Sequence, residues 1–105
     1  KRHDYPFGAA ACTWNMNTEY NSFFIPDTEP VVQLAISALN SVGLEVKTSI
    51  GGGGSDANII NAEGLPMIIC GTGMNKVHTV DEDIEEEELR RGAKFVAALI
   101  THYSR

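Results

Sequence analysis

Ile50-Gly51-Gly52-Gly53-Gly54-Ser55-Asp56-Ala57-Asn58-Ile59-Ile60-Asn61-Ala62-Glu63-Gly64-Leu65-Pro66-Met67-Ile68-Ile69-Cys70-Gly71-Thr72-Gly73-Met74-Asn75-Lys76-Val77-His78 is the stretch whose character decides the fold. Its run of four glycines brings no side chain to a core and loses the most backbone freedom on folding, so packing is not its purpose. A β-like run, Leu44 to Ile50, precedes it, and Ser55-Asp56 follows as a helix start. Strand, bare loop and helix N-terminus in that order place backbone N–H groups where a ligand can meet them. A second glycine turn, Gly71-Thr72-Gly73, follows the next apolar run and leads to His78. The two loops are expected to form one wall of a site.

Outward from that stretch the chain alternates. Ala11 to Ile25 partly alternates, with Cys12, Trp14 and Met16 on one side, and reads as a long strand ended by Pro26-Asp27. Asp27 or Thr28 can cap a helix that has Pro30 in its first turn. Val31, Leu34, Ala35, Ala38 and Val42 supply its apolar stripe, and Gly43 its left-handed stop. Leu44 to Ile50 is then a strand. Ser55 caps a short helix reaching about Glu63, with Gly64 and Pro66 ending it. Leu65 to Cys70 reads as a buried strand. Asp81-Glu82-Asp83 and Glu85 to Glu88 put negative charge at the start of a last helix, where the helix dipole favours it. Leu89, Ala93, Val96, Ile100 and Tyr103 are its expected apolar stripe. Residues 1–10 give no firm element. The order implies an α/β domain with helices layered on a sheet.

Composition sets the outer bounds. The 105 residues suffice for one domain; 43% are hydrophobic and 21% charged, as in a globular chain. A net charge of −6 speaks against nucleic acid or an anionic membrane as partner, since both require a basic face. No apolar run approaches a membrane span of about 20 residues, and no apolar stretch after Lys1-Arg2-His3 suggests a leader. Cys12 and Cys70 are expected as buried free thiols, which matches a reducing, cytoplasmic setting. The absence of an initial Met suggests a piece cut from a longer protein.

Several chemistries can be weighed from the residues. A nucleotide phosphate loop would need Lys after its last glycine, where this chain has Ser55-Asp56, and Asp56 would repel phosphate. A structural turn and a loop open to a substrate backbone or carboxylate both remain. His78, with Glu82 four residues on, is a candidate metal ligand beside a carboxylate. One imidazole does not hold zinc, however, since a catalytic site takes about three protein ligands. His3 and His102 have no pattern tying them to His78. A Ser55–His78–Asp56 triad is disfavoured because Ser55 is better explained as a helix cap. No catalytic residue is assigned within the chain.

Gly-Gly-Gly-Ser-Asp-Ala-Asn at 52–58, followed by Gly-Thr-Gly-Met-Asn-Lys-Val-His-Thr-Val-Asp-Glu at 71–82, resembles the C-terminal part of peptidase T-like tripeptide aminopeptidases. These belong to the di-zinc exopeptidase superfamily, with aminoacylases, succinyl-diaminopimelate desuccinylases and glutamate carboxypeptidases. The likeness runs from about Ala11 to Tyr103. It implies the end of a lid domain and a return crossing at 1–26, then the C-terminal part of a zinc-exopeptidase catalytic domain, helices on a mixed sheet, at 27–105. It further implies His78 as metal ligand with Glu82 as its acidic companion. Gly53, Gly54, Ser55, Asp56 and Asn58 would line the substrate cleft.

The family's earlier His-x-Asp, bridging aspartate, Glu-Glu and later acidic motifs are absent. The resemblance therefore implies two zinc ions in a full-length relative and at most one partial site here, with the chain inactive alone. Expected partners are a short peptide substrate, the remainder of the catalytic domain and, through unpaired strand edges, further copies of the chain. Two rival readings are a stand-alone α/β binding or scaffolding domain without catalysis, and a small domain that binds an anion through its glycine loop.

Overall fold

Local rules place the three helices of the computed structural model, which describes residues 4–105; Lys1-Arg2-His3 lie outside the described residues. A small hairpin pairs β1 (Asp4–Tyr5) with β2 (Gly8–Ala9) in a stretch expected to be irregular. Helix α1 spans Pro30–Ser41 with Pro30 at its start. Proline's fixed φ and missing N–H suit that position, and they make Glu29 the N-cap. Neither Asp27 nor Thr28 caps the helix, and no side chain does. Asp27 is used otherwise: its carbonyl accepts from Gln33 Nε2 at 2.6 Å and its carboxylate from Thr48 Oγ1 at 3.1 Å.

The end of α1 is as the glycine dictates. Gly43 adopts φ +71°, Gly43 N–H donates to Asn40 O at 3.1 Å and Leu44 N–H to Leu39 O at 3.0 Å. That pair of bonds is a Schellman motif, and Leu44 and Leu39 both pack on the core behind it. Helix α2, Asp56–Ala62, stops in the same way at Gly64, φ +87°, with Gly64 N–H on Asn61 O and Leu65 N–H on Ile60 O. Helix α3 spans Glu86–Tyr103. Its first turn carries Glu86, Glu87 and Glu88; Arg90 pairs with Glu86, and Arg91 with Glu87 and Glu88.

The core lies between α1 and α3, where Ala35 and Ala38 meet Phe95 and Ala98, flanked by Leu39, Val42, Leu44, Ile68 and Leu99. Alanines on α1 let the helices approach closely, and Phe95 fills the space between them. The expected stripe on α1 is right at Ala35 and Ala38, with Val32 buried as well. On α3 it is the wrong face. Leu89, Val96, Ile100 and Tyr103 are 62%, 54%, 64% and 79% exposed. The helix has two apolar faces: Phe95, Ala98 and Leu99 form the side toward α1, and the longer stripe is left exposed among the described residues.

The three expected strands differ from expectation in one respect. Ala11 to Ile25, Leu44 to Ile50 and Leu65 to Cys70 form no ladder among the described residues. A strand is defined by bonds to a neighbour, and none of these segments finds one here. The side-chain alternation survives where helices cover a face: Val42, Leu44 and Val46 are half-buried, while Gly43, Glu45 and Lys47 are exposed. Cys12 and Cys70 are free, as expected, but exposed rather than buried. Packing on one side of Cys70 still desolvates its thiol and pushes its pKa up. The second hairpin, β3 (Met74–Asn75) with β4 (Asp83–Ile84), pairs Met74 with Ile84 and Asn75 with Asp83. It holds the loop that carries His78.

Candidate functional site

Ser55 and Asn58 organise the exit from the glycine loop. Ser55 Oγ accepts the Ala57 N–H at 3.2 Å, and Asn58 Oδ1 accepts the Ser55 N–H at 2.9 Å, a reciprocal capping box. The amide of Asn58 has a second task, since its Nδ2 donates to the carbonyl of Asn21 at 2.8 Å. Asn58 is 7% exposed, so both ends of its amide are engaged inside the fold, one capping α2 and the other holding the Asn21 carbonyl. The α2 N-terminus thus spends N–H groups on its own cap, which weakens the anion-binding alternative. Asp56 is exposed in the first turn.

Gly51, Gly52 and Gly53 have nothing near the position of an added Cβ, whereas one on Gly54 would overlap the phenol of Tyr20. Gly54 therefore has the phenol of Tyr20 against it, and the preceding three glycines face open space. Tyr20 and Asn21 escaped the sequence reading because they lie more than thirty residues away, and nothing local marks them.

His78 sits in the left-handed region at φ +66°, as does Lys76 at +50°, a conformation that costs a non-glycine residue about 1 kcal/mol or more. Surrounding bonds hold it there. Glu82 Oε2 accepts the backbone N–H of His78 at 3.2 Å. Thr79 donates twice to Lys76 O, by N–H at 3.2 Å and by Oγ1 at 2.7 Å. Asn75 Nδ2 donates to Asp83 Oδ1 at 2.8 Å across the hairpin. Glu82 thus acts on the backbone of His78, and the imidazole is left exposed. The preceding turn is anchored from α3: Gly73, at φ +87°, would bring a Cβ within 2.8 Å of Glu88 Cβ and 2.9 Å of its Oε2.

Two local units result, Tyr20–Asn21 on Gly54–Asn58 and Glu82 on His78, and no hydrogen bond or ion pair joins them among the described residues. Two surface hollows lie elsewhere, one between Leu44-Glu45 and Arg91-Lys94, the other where Gly71-Thr72-Gly73 meets Glu88 and Phe95. Among the described residues no group of three or more His, Cys, Asp or Glu could hold a metal ion. This donor set does not fit a zinc centre by itself; it offers one imidazole, held in a strained loop with its ring free.

Comparison with known proteins gives a consistent picture. The sequence model of peptidase family M20/M25/M40 matches residues 9–102. The uncharacterised protein YqjE of Bacillus subtilis is 36% identical over 81 residues, covering 77% of this chain and 22% of that protein. A succinyl-diaminopimelate desuccinylase of Phenylobacterium zucineum is 35% identical over 81 residues, 76% of this chain and 21% of the relative. The crystal structure of aminopeptidase PepT from Bacillus cereus superposes with a TM-score of 0.80 at 35% identity, over 85% of this chain and 24% of that one. The chain thus spans about a fifth to a quarter of the length of these relatives.

Proposed function

The chain belongs to peptidase family M20/M25/M40, and from that membership we propose that it serves as the C-terminal part of a metal-dependent exopeptidase acting on short peptides. The observation that carries this is the superposition on aminopeptidase PepT, TM-score 0.80 over 85% of the chain; the family match over residues 9–102 takes in both glycine turns. The fold class, part of an α/β exopeptidase catalytic domain, follows from the same match.

In this proposal residues 1–26 end the lid and cross back, and 27–105 complete the catalytic domain. His78 is one zinc ligand, and Glu82 sets the loop that presents it. Gly53, Gly54, Ser55 and Asp56 lie along the substrate cleft, and Asn58 shapes that cleft by holding Asn21. The other metal ligands and the general base come from outside these residues, so no chemical step is assigned to the chain alone. A peptide, the rest of the catalytic domain and a cytoplasmic setting complete the proposal. No helix among the described residues is long and apolar enough to cross a membrane.

The rival, a stand-alone binding or scaffolding domain, must accommodate a radius of gyration of 20.8 Å, where a compact chain of this length has about 13 Å. A direct test separates the two. The longer protein carrying this segment should cleave tripeptides, lose activity on chelation and regain it with zinc. The 105-residue chain should show none of this activity. Metal-dependent tripeptide cleavage by the isolated chain would refute the proposal, as would a longer protein that cleaves no short peptide.

A further inference from the structure

Of the four glycines, Gly54 is the one with a neighbour. An added Cβ there would overlap Tyr20 Oη and Cζ and approach Cε2 to 2.9 Å. Gly54 has no positive φ, so its backbone would tolerate a side chain, but that side chain would have to push the phenol aside. Gly51, Gly52 and Gly53 have nothing within 4 Å. The run thus divides into one residue that seats Tyr20 and three that leave bare backbone open beside it.

Tyr20 is held where it is from two directions. The hydroxyl end of its side chain abuts Gly54, and the carbonyl of the next residue, Asn21, accepts from the buried amide of Asn58 at 2.8 Å. Yet Tyr20 is 49% exposed, and its hydroxyl makes no hydrogen bond among the described residues. A phenol at neutral pH is a neutral O–H donor with an acceptor oxygen. It lies against Gly54, the last residue of the glycine run, whose first three members are exposed with nothing packed on them. The acceptor chemistry that matches an unpartnered phenol O–H is a carbonyl or carboxylate oxygen.

We propose that Tyr20 is a substrate-binding residue, donating its phenol O–H to a carbonyl or carboxylate oxygen of a short peptide laid across Gly51–Gly53. The assignment rests on the exopeptidase function proposed above and adds a contact from the segment preceding α1. Asn21 and Asn58 are positioning residues for it: they hold the backbone from which Tyr20 reaches the loop.

The test is Tyr20→Phe in the longer enzyme, assayed with a tripeptide and with the same tripeptide amidated at its C-terminus. Phe removes the hydroxyl and keeps the ring edge, Cζ and Cε2, beside Gly54, so folding and kcat should hold within about twofold. KM should rise roughly three- to tenfold, the size of one lost uncharged hydrogen bond, and further if the acceptor is charged. A rise with both peptides assigns a carbonyl as acceptor, and a rise with the free acid alone assigns the carboxylate. Unchanged KM with both, in an active enzyme, would show that Tyr20 only packs and would overturn the assignment. Gly54→Ala is the second variant, because it displaces the phenol without touching it. It should raise KM in wild-type enzyme and add little to Tyr20→Phe; fully additive losses would also overturn the assignment. A wild-type enzyme inactive on all short peptides would instead refute the function, and the Tyr20 assignment with it.

Discussion

Asn58 shows how two roles can be separated within one side chain, because its Oδ1 accepts from Ser55 and its Nδ2 donates to Asn21. Asn58→Asp keeps the acceptor and loses the donor, leaving the Asn21 carbonyl without its partner. It should cost about 1–3 kcal/mol in urea unfolding of the longer enzyme, the range for an unmade buried bond. An unaltered midpoint would mean that the Asn21 tie carries no stability. A similar separation applies at His78. Glu82 accepts the backbone N–H of His78, a task a glutamine oxygen can also perform. Glu82→Gln should therefore leave zinc affinity of the longer enzyme near wild type, while Glu82→Ala frees the strained loop and lowers it by roughly 10–100-fold. Equal losses for both variants, by competition with a chelating dye, would show that the carboxylate charge matters instead. Ser55 was legible from sequence because a cap acts within three residues. Tyr20 was not, since its partner lies across the fold and glycine gives no sign of what presses on it.

Helix ends were legible for the same reason of range. Gly43 and Gly64 close α1 and α2 through bonds that span six residues at most, so a local sequence contains the whole motif. Each takes a positive φ with open space around it. Gly43→Ala and Gly64→Ala should each cost about 1–2 kcal/mol, all of it from the backbone. Circular dichroism during thermal unfolding checks this; a loss under about 0.3 kcal/mol would mean that the helix ends refold around alanine. Gly54→Ala differs in kind, since its cost comes from the overlap with Tyr20 and Tyr20→Ala should relieve it. Strands are another matter. Leu44 to Ile50 has the right alternation and half of the right burial, but a ladder requires a partner, and none of the described residues lies beside it as one. Stripe choice on α3 failed for a related reason. Leu89–Tyr103 is the longer apolar row, and nothing in the sequence says that α1 takes the Phe95 side.

At the scale of the molecule these unpaired edges add up. The exposed area is 9106 Å², against about 5,800 Å² for a compact protein of this mass. The dimensions, 69 × 36 × 18 Å, are those of an elongated piece. Six apolar side chains are buried among the described residues, four of them alanine, a small core by any standard. Meanwhile Leu89, Val96, Ile100 and Tyr103 form an exposed apolar row on α3 beside, and not part of, its contact with α1. If that row is an interior face of the longer enzyme, charge there has opposite consequences in the two contexts. Val96→Lys with Ile100→Lys should leave the helix content of the isolated chain unchanged and reduce its self-association, seen by gel filtration with light scattering. The same pair in the longer enzyme buries two unpaired ammonium groups, costs several kcal/mol and abolishes soluble expression or activity. A longer enzyme that tolerates both lysines would place the row on its surface. Helix α3 would then keep its second apolar face outside the catalytic domain, and the expanded shape of the chain would need another cause.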